Sequence, residues 1–185
     1  MSVREADDPV LFARIQEQNL LRQYDLLTNC VEIAIAKGIE AFDKYTLWAL
    51  NAAAVANIAQ FGGRFRNQPI YVGNHIPPHF KEVPDLVDEF LSVIHENWTI
   101  NTDPTVLPAY ALWRLNWIHP FTEANGRTAR AACYLLICRI CLPQSVRDWV
   151  AGGDWILEHG FESLKSGATL LMASLDDAGQ DGLSR

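Results

Sequence analysis

The sequence has no apolar stretch long enough to cross a bilayer; its longest, such as Ala131 to Cys138, fall well short of the roughly 20 residues that a spanning helix needs. Its opening residues, MSVREADD, lack the charged-then-apolar plan of a secretory signal. There is no surplus of positive charge either, since 15 Lys and Arg face 22 Asp and Glu for a formal net charge of −7. That balance argues against a nucleic acid as partner and confines any basic site to a local cluster. Cysteine is scarce. Of Cys30, Cys133, Cys138 and Cys141, the last two form a CxxC, but Arg139 and Ile140 between them belong to an apolar helical run with no second ligand pair. They read as small buried apolar residues. Repeats and linkers are missing, and no histidine pair has the spacing of a zinc site. With 49% hydrophobic and 20% charged residues, the expectation is one soluble, cytoplasmic domain over residues 1–185 with a sizeable core, in contact with neither membrane nor nucleic acid.

Helical periodicity dominates what is present. Residues 10–37 carry apolar side chains at Leu11, Phe12, Ile15, Leu20, Leu21, Leu26, Leu27, Val31 and Ile35, which predicts a helix, broken at most once, that stops at Gly38. A second is expected from an N-cap at Asp43, with Leu47, Leu50, Ala54, Ile58 and Phe61 on one face as far as Gly62-Gly63. Residues 64–79 change character: a β-prone Ile70-Tyr71-Val72 run, a Gly73-Asn74 turn and three prolines predict an exposed hairpin or flap. Pro84 opens an amphipathic helix to about Asn97. Residues 108–118, PAYALWRLNWI, and 127–142 are apolar on most faces and predict two central helices flanking the loop 119–126, with Trp113, Trp117 and Tyr134 in the core. Further helices are expected from Asp154 to about Lys165 and from about Ala168 to Leu175. His75 and His79 read as exposed loop residues, and His95 and His159 as solvated helix residues.

The loop and the turn after it read His119-Pro-Phe-Thr-Glu-Ala-Asn-Gly-Arg-Thr-Ala-Arg130, the most polar stretch between the two most apolar helices. An Asn-Gly pair entering a helix leaves several N–H groups without intrahelical partners at the positive end of the helix dipole, which suits a phosphate. Gly126 lets an anion come close. Arg127 and Arg130, three apart, are neighbours on the first turn and could clamp successive phosphates. Glu123 offers a hard oxygen suited to Mg²⁺, and His119 has the side chain to take a proton from a hydroxyl. Any one of these residues alone would pass for an ordinary solvated face. A nucleotide site needs all of them together, and all lie within one short segment.

This segment resembles the Fic motif, HPFx(D/E)GNGRxxR, at every fixed position except Ala124. Its flanks are similar to the family too: RLNWI before it, GGRFRNQPIYVG as a flap, and His75-Ile-Pro-Pro78. The resemblance covers about residues 20–145. It implies an all-α, Fic-type helical bundle with a short β-hairpin flap, and a protein adenylyltransferase that moves AMP from ATP, with Mg²⁺, to a Ser, Thr or Tyr hydroxyl. On that resemblance His119 is the base, Glu123 the Mg²⁺ ligand and Phe121 a buried anchor. Asn125 and the nearby amides, including those of Ala124 and Gly126, form the anion hole, and Arg127 and Arg130 hold the β- and γ-phosphates. The flap, Gln68 with Ile70, Tyr71, Val72 and Gly73, would register the target segment by main-chain pairing. Ala124 stands where the family has glycine, which matters if the position needs a positive φ. Doc toxins are also similar here and have alanine at that position, but they carry lysine in place of Gly126 and lack the last arginine. Gly126 and Arg130 therefore favour AMP transfer over phosphorylation. Family inhibitory helices carry (S/T)xxxE(G/N); Thr28-Asn-Cys-Val-Glu32 fits its first part, making Glu32 a candidate inhibitory residue, with an antitoxin-like partner or a homo-oligomer as the other route. The alternative expectations are a Fic enzyme that uses another nucleotide or removes AMP, or a silent nucleotide- or partner-binding module.

Overall fold

The computed structural model describes residues 8–98 and 105–141. The chain divides into two units, Met1–Cys141 and Leu142–Arg185, and the described residues all belong to the first. The helices expected at 154–165 and 168–175, and His159, lie outside the described residues.

Among the described residues five α-helices carry the fold: α1 (Pro9–Lys37), α2 (Lys44–Ala54), α3 (Val83–Glu96), α4 (Val106–Ile118) and α5 (Asn125–Cys141). The expected all-α architecture is borne out among the described residues. Asp8 caps α1 by accepting from Leu11 N–H, Pro9 occupies its first turn, and Gly38 ends it at φ 95°, a backbone that side-chained residues rarely adopt. The helix runs unbroken. Its core face is not the one the leucines suggested: Leu20 and Leu21 are exposed, whereas Asn19 and Gln23 are buried beside Leu27, Val31 and Ala34. Both amides are satisfied, Asn19 Nδ2 donating to Ala56 O at 2.8 Å and Gln23 Nε2 to Leu50 O at 3.0 Å. Burial of a polar side chain is tolerable once its partners are fixed.

Asp43 caps α2 as expected, accepting from Thr46 N–H at 2.8 Å. The helix ends at Ala54, before the predicted Ile58 and Phe61, and Phe61 is exposed. Val55 leaves helical geometry, Asn57 takes a left-handed φ of 62°, and side chains of α1 and α5 capture the carbonyls of Ala54 and Ala56. The return past Gly62 and Gly63 then packs directly on α2. A Cβ on Gly62 would collide with the Val55 side chain, and one on Gly63, at φ +72°, would meet the Trp48 carbonyl at 2.9 Å.

α5 packs on α4, α1 and α2, and α3 on α4. A buried stripe of Leu107, Pro108, Ala111, Leu115 and Ile118 faces α4 inward. Its other side corrects the sequence reading, for Trp113 is 58% exposed and Trp117 borders on exposure. Those rings flank the Arg114 guanidinium, which lies 4.7 Å from the Trp117 centroid and pairs with Glu89 at 3.3 Å. A cation–π ledge accounts for tryptophans that the core does not hold. Tyr134 and Cys138 are buried as expected. His95 is not a solvated residue; its Nε2 donates to Phe42 O at 2.9 Å. Among the described residues no helix is long and apolar enough to cross a membrane.

Candidate active site

α4 ends in a left-handed residue, His119, at φ 51° and ψ 59°, whose N–H closes on Leu115 O at 2.9 Å. This conformation turns the chain sharply and directs the imidazole back along the helix, with Nδ1 at 3.2 Å from Asn116 O. A carbonyl can only accept, so Nδ1 carries a proton, and in the neutral ring Nε2 keeps its lone pair. Burial holds the imidazole below its ordinary pKa; the Asn116 bond opposes this, and the neighbouring Arg66 and His75 lower it further.

Beyond Pro120 the loop is anchored by Phe121, which is fully buried and meets Phe65 at 5.8 Å between ring centroids; Phe65 in turn sits edge-on to Trp48. Asn125 clamps the same residue. Its Oδ1 accepts from Phe121 N–H and its Nδ2 donates to Phe121 O, both at 2.8 Å. The side chain is thus turned inward, 4% exposed, and serves the loop backbone. Thr122 and Glu123 project outward, both exposed, while Glu123 O accepts from Asn51 Nδ2 at 2.9 Å. Ala124 has φ 57°. It therefore occupies the conformation that glycine takes freely and alanine resists by about 1–2 kcal/mol. Ala124→Gly is expected to raise the stability of the chain by about 1 kcal/mol, read as a higher midpoint in thermal or denaturant unfolding.

The first backbone rung of α5 runs from Thr128 N–H to Ala124 O at 3.0 Å, so the amides of Asn125, Gly126 and Arg127 precede it at the positive end of the helix. Arg127 Nη1 donates to Ala54 O at 2.8 Å, at the carbonyl end of α2; its pKa is lowered by burial and by Arg130 beside it. Arg130 folds back over the start of the helix, where a Cβ on Gly126 would lie 3.4 Å from its Nη1. The two guanidinium groups and the three leading amides thus share one turn. No group of three His, Cys, Asp or Glu that could hold a metal by itself exists among the described residues.

The flap is thinner than the expected hairpin. Among the described residues it has one isolated antiparallel bridge, Val72 with His75, around the Gly73-Asn74 turn, where Gly73 takes φ 54°. Three prolines, Pro69, Pro77 and Pro78, and a glycine in so short a segment leave few residues able to extend a ladder. Tyr71 is 78% exposed, Gln68 and Val72 are exposed, and Ile70 is half-buried. A cavity of about 720 Å³ opens beside Thr122 and Glu123, walled by Phe65, Arg66 and Gln68 and by the turn after α2, a size that takes a small-molecule ligand. Glu32, half-buried on α1, makes no ion pair among the described residues.

Two side chains that sequence reasoning passed over hold the site. Asn51, buried on α2, accepts from Gly63 N–H at 3.0 Å and reaches Glu123 O and Thr128 Oγ1, joining three segments. Arg66 is 4% exposed and donates to carbonyls on both sides of the loop. The signal for Asn51 was a polar residue one turn after Leu47 on an apolar face. Arg66 gave none, since Arg64-Phe-Arg66 reads as an exposed basic pair.

Comparison with known proteins places this geometry. The Fic/DOC family profile matches residues 41–137, more than half of the chain. Sequences named "Protein adenylyltransferase Fic" from Drosophila persimilis and Drosophila melanogaster are each 29% identical over 130 residues, 70% of this chain. The chain spans about a quarter of the length of these curated relatives, 25% and 26%. Among solved structures, Fic-1 (aa134–508) from C. elegans superposes with a TM-score of 0.57 at 20% identity, over 86% of this chain and 52% of that one. Its E274G form gives 0.53. The left-handed histidine, the clamped loop and the arginine-flanked helix start therefore belong to a Fic domain, and this chain is a member of the Fic/DOC family.

Proposed function

We propose that this chain transfers the AMP moiety of ATP to a Ser, Thr or Tyr hydroxyl of a target protein. The observation that carries the reading is an imidazole whose Nδ1 is turned to Asn116 O and whose pKa is lowered by burial, on the same loop as a helix start that presents three leading amides and two guanidinium groups. The target oxygen forms a bond to the α-phosphorus, and its proton passes to His119 Nε2. The bond from the α-phosphorus to the oxygen bridging to the β-phosphate breaks, and pyrophosphate leaves with the electron pair. The amides of Asn125, Gly126 and Arg127 face the α-phosphate, and Arg127 and Arg130 take the charge that builds on the leaving group. Most of the acceleration is positioning and charge stabilisation.

An exposed carboxylate with a fixed backbone suits a Mg²⁺ that arrives with the phosphates and keeps several waters. Glu123 would hold it, and when bound it neutralises phosphate charge. The flap from Gln68 to Gly73 would align the target segment, its exposed Tyr71 and Val72 giving that segment apolar contact. An inhibitory role for Glu32 would require a partner or rearrangement that brings it to an arginine.

The test is incubation of the chain with ATP labelled at the α-phosphate, target-containing lysate and Mg²⁺. Label on a protein hydroxyl is expected. Label arriving only from the γ-phosphate would replace this reading with a kinase, and no label from either would leave a binding module. Because burial lowers the His119 pKa, the base form persists below the ordinary midpoint. The rate should hold as pH falls from 8 to about 6.5 and drop only below that.

A further inference from the structure

The segment that forms the flap also ends α4. Three consecutive carbonyls at the C-terminus of that helix accept from flap side chains. His75 Nε2 donates to Trp117 O at 2.9 Å, Arg66 Nη2 to Ile118 O at 3.3 Å, and Arg66 Nε to His119 O at 2.8 Å. The next carbonyl, on Pro120, accepts from the Arg66 backbone N–H at 2.9 Å. The last carbonyls of a helix lack intrahelical donors and gather negative potential, so side-chain donors belong there. Here they come from a loop more than 40 residues away in the chain, as the separations of 53, 52 and 42 residues show.

The same guanidinium closes the flap on itself. Arg66 Nη2 also donates to Pro78 O at 2.6 Å, and Nη1 to Gln68 O at 3.4 Å, so one planar group reaches the two ends of the flap and the two residues at the α4 terminus. Only a rigid fork serves acceptors spread that way; an ammonium offers its donors from a single point. The group is 4% exposed and meets no carboxylate among its contacts, which makes the carbonyl cage its whole stabilisation.

We infer that Arg66, with His75 beside it, is the positioning residue of the transfer reaction. It fixes His119 in the left-handed conformation that turns Nδ1 to Asn116, and so makes the set of the flap and the set of the base one mechanical state. The inference rests on the reading of His119 as the base, and adds that a target seated on the flap feels the same guanidinium that orients the imidazole. The charged and titratable groups that act on His119 are Arg66 and His75, both from the flap. His75 thus has a structural partner in place of the exposed loop setting expected of it.

The test uses the full chain with Arg66→Lys, Arg66→Gln, His75→Ala and His75→Gln. Three quantities are read for each folded variant: the NMR titration of the His119 ring, and kcat and KM for ATP in α-label transfer. Arg66→Lys should lower kcat about 10- to 100-fold, as small misplacements of a reacting group do, with KM for ATP within about twofold because Arg66 does not belong to the phosphate turn. Arg66→Gln should move the His119 midpoint up toward the ordinary 6.5 and carry the acid limb of the pH–rate profile with it. His75→Gln, whose amide can donate where the imidazole did, should recover the rate that His75→Ala loses. An unchanged ring titration and kcat in folded Arg66 variants would overturn the inference, as would a loss expressed wholly in KM for ATP. If the Arg66 variants do not fold, the His75 pair decides: equal rates and equal His119 midpoints in Ala and Gln forms overturn it. The ring titration needs no turnover, so a wild-type chain that fails to transfer AMP counts against the proposed function and leaves this arm standing.

Discussion

Replacement of His119 by asparagine should lower AMP transfer by about 10²- to 10⁴-fold, the range a positioned general base contributes, while the chain stays folded. Asparagine is the informative substitution because it tolerates the left-handed backbone at φ 51°. Its short amide also keeps a donor near Asn116 O, which the imidazole now occupies at 3.2 Å. What it lacks is a lone pair able to accept a proton near neutral pH. His119→Ala removes the base as well but adds backbone strain of about 1 kcal/mol, a shift of a few degrees in melting temperature for a chain of this size. Equal rate losses with unequal melting temperatures would assign the effect to chemistry. A rate loss in the alanine form that disappears in the asparagine form would remove His119 from the reaction. ATP affinity should change little in either, since in the proposed reaction the imidazole meets the target hydroxyl and the phosphates meet the start of α5.

Much of this arrangement was legible because its parts are local. A proline or aspartate at a helix start, a glycine at its end and a period near 3.6 all act within a few residues, so α1, α3 and α5 were recovered close to their limits. The motif was legible for the same reason: Glu123, Gly126, Arg127 and Arg130 occupy one loop and one helical turn. The positive φ feared for Ala124 is present at 57°. What could not be read depends on distant partners. Asn19 and Gln23 look like solvent-facing residues until Ala56 O and Leu50 O supply acceptors, 37 and 27 residues away. Arg66 looks like surface charge until four carbonyls surround it. Trp113 and Trp117 look like core until Arg114 explains why they can stay outside. In each case local hydrophobicity was overruled by a hydrogen bond or a cation–π contact that sequence spacing does not encode.

Asn125→Ala should destabilise the chain by about 2–4 kcal/mol and remove transfer at the same time. The side chain is nearly inaccessible, and its two polar atoms satisfy both backbone groups of Phe121 at 2.8 Å. Truncation leaves an N–H and a C=O buried without partners, and each such orphan costs about 1–3 kcal/mol. A melting temperature lower by roughly 4–16 °C follows for a chain of this length. The loop that Phe121 anchors carries Glu123 and delivers the first amides of α5, so its loosening should weaken ATP binding and slow the chemical step together. A side chain whose main work was to touch the phosphate would behave differently: removal would raise the ATP dissociation constant and leave unfolding nearly unchanged. Asn125→Asp sharpens the contrast. A carboxylate can still accept from Phe121 N–H, but it cannot donate to Phe121 O and it sets a negative charge beside the phosphate turn. Its stability should lie between those of the wild type and Asn125→Ala, with ATP affinity below both. Calorimetric unfolding and nucleotide titration on the three chains measure these orders independently, and an aspartate form that binds ATP as well as the wild type would place the anion away from the start of α5.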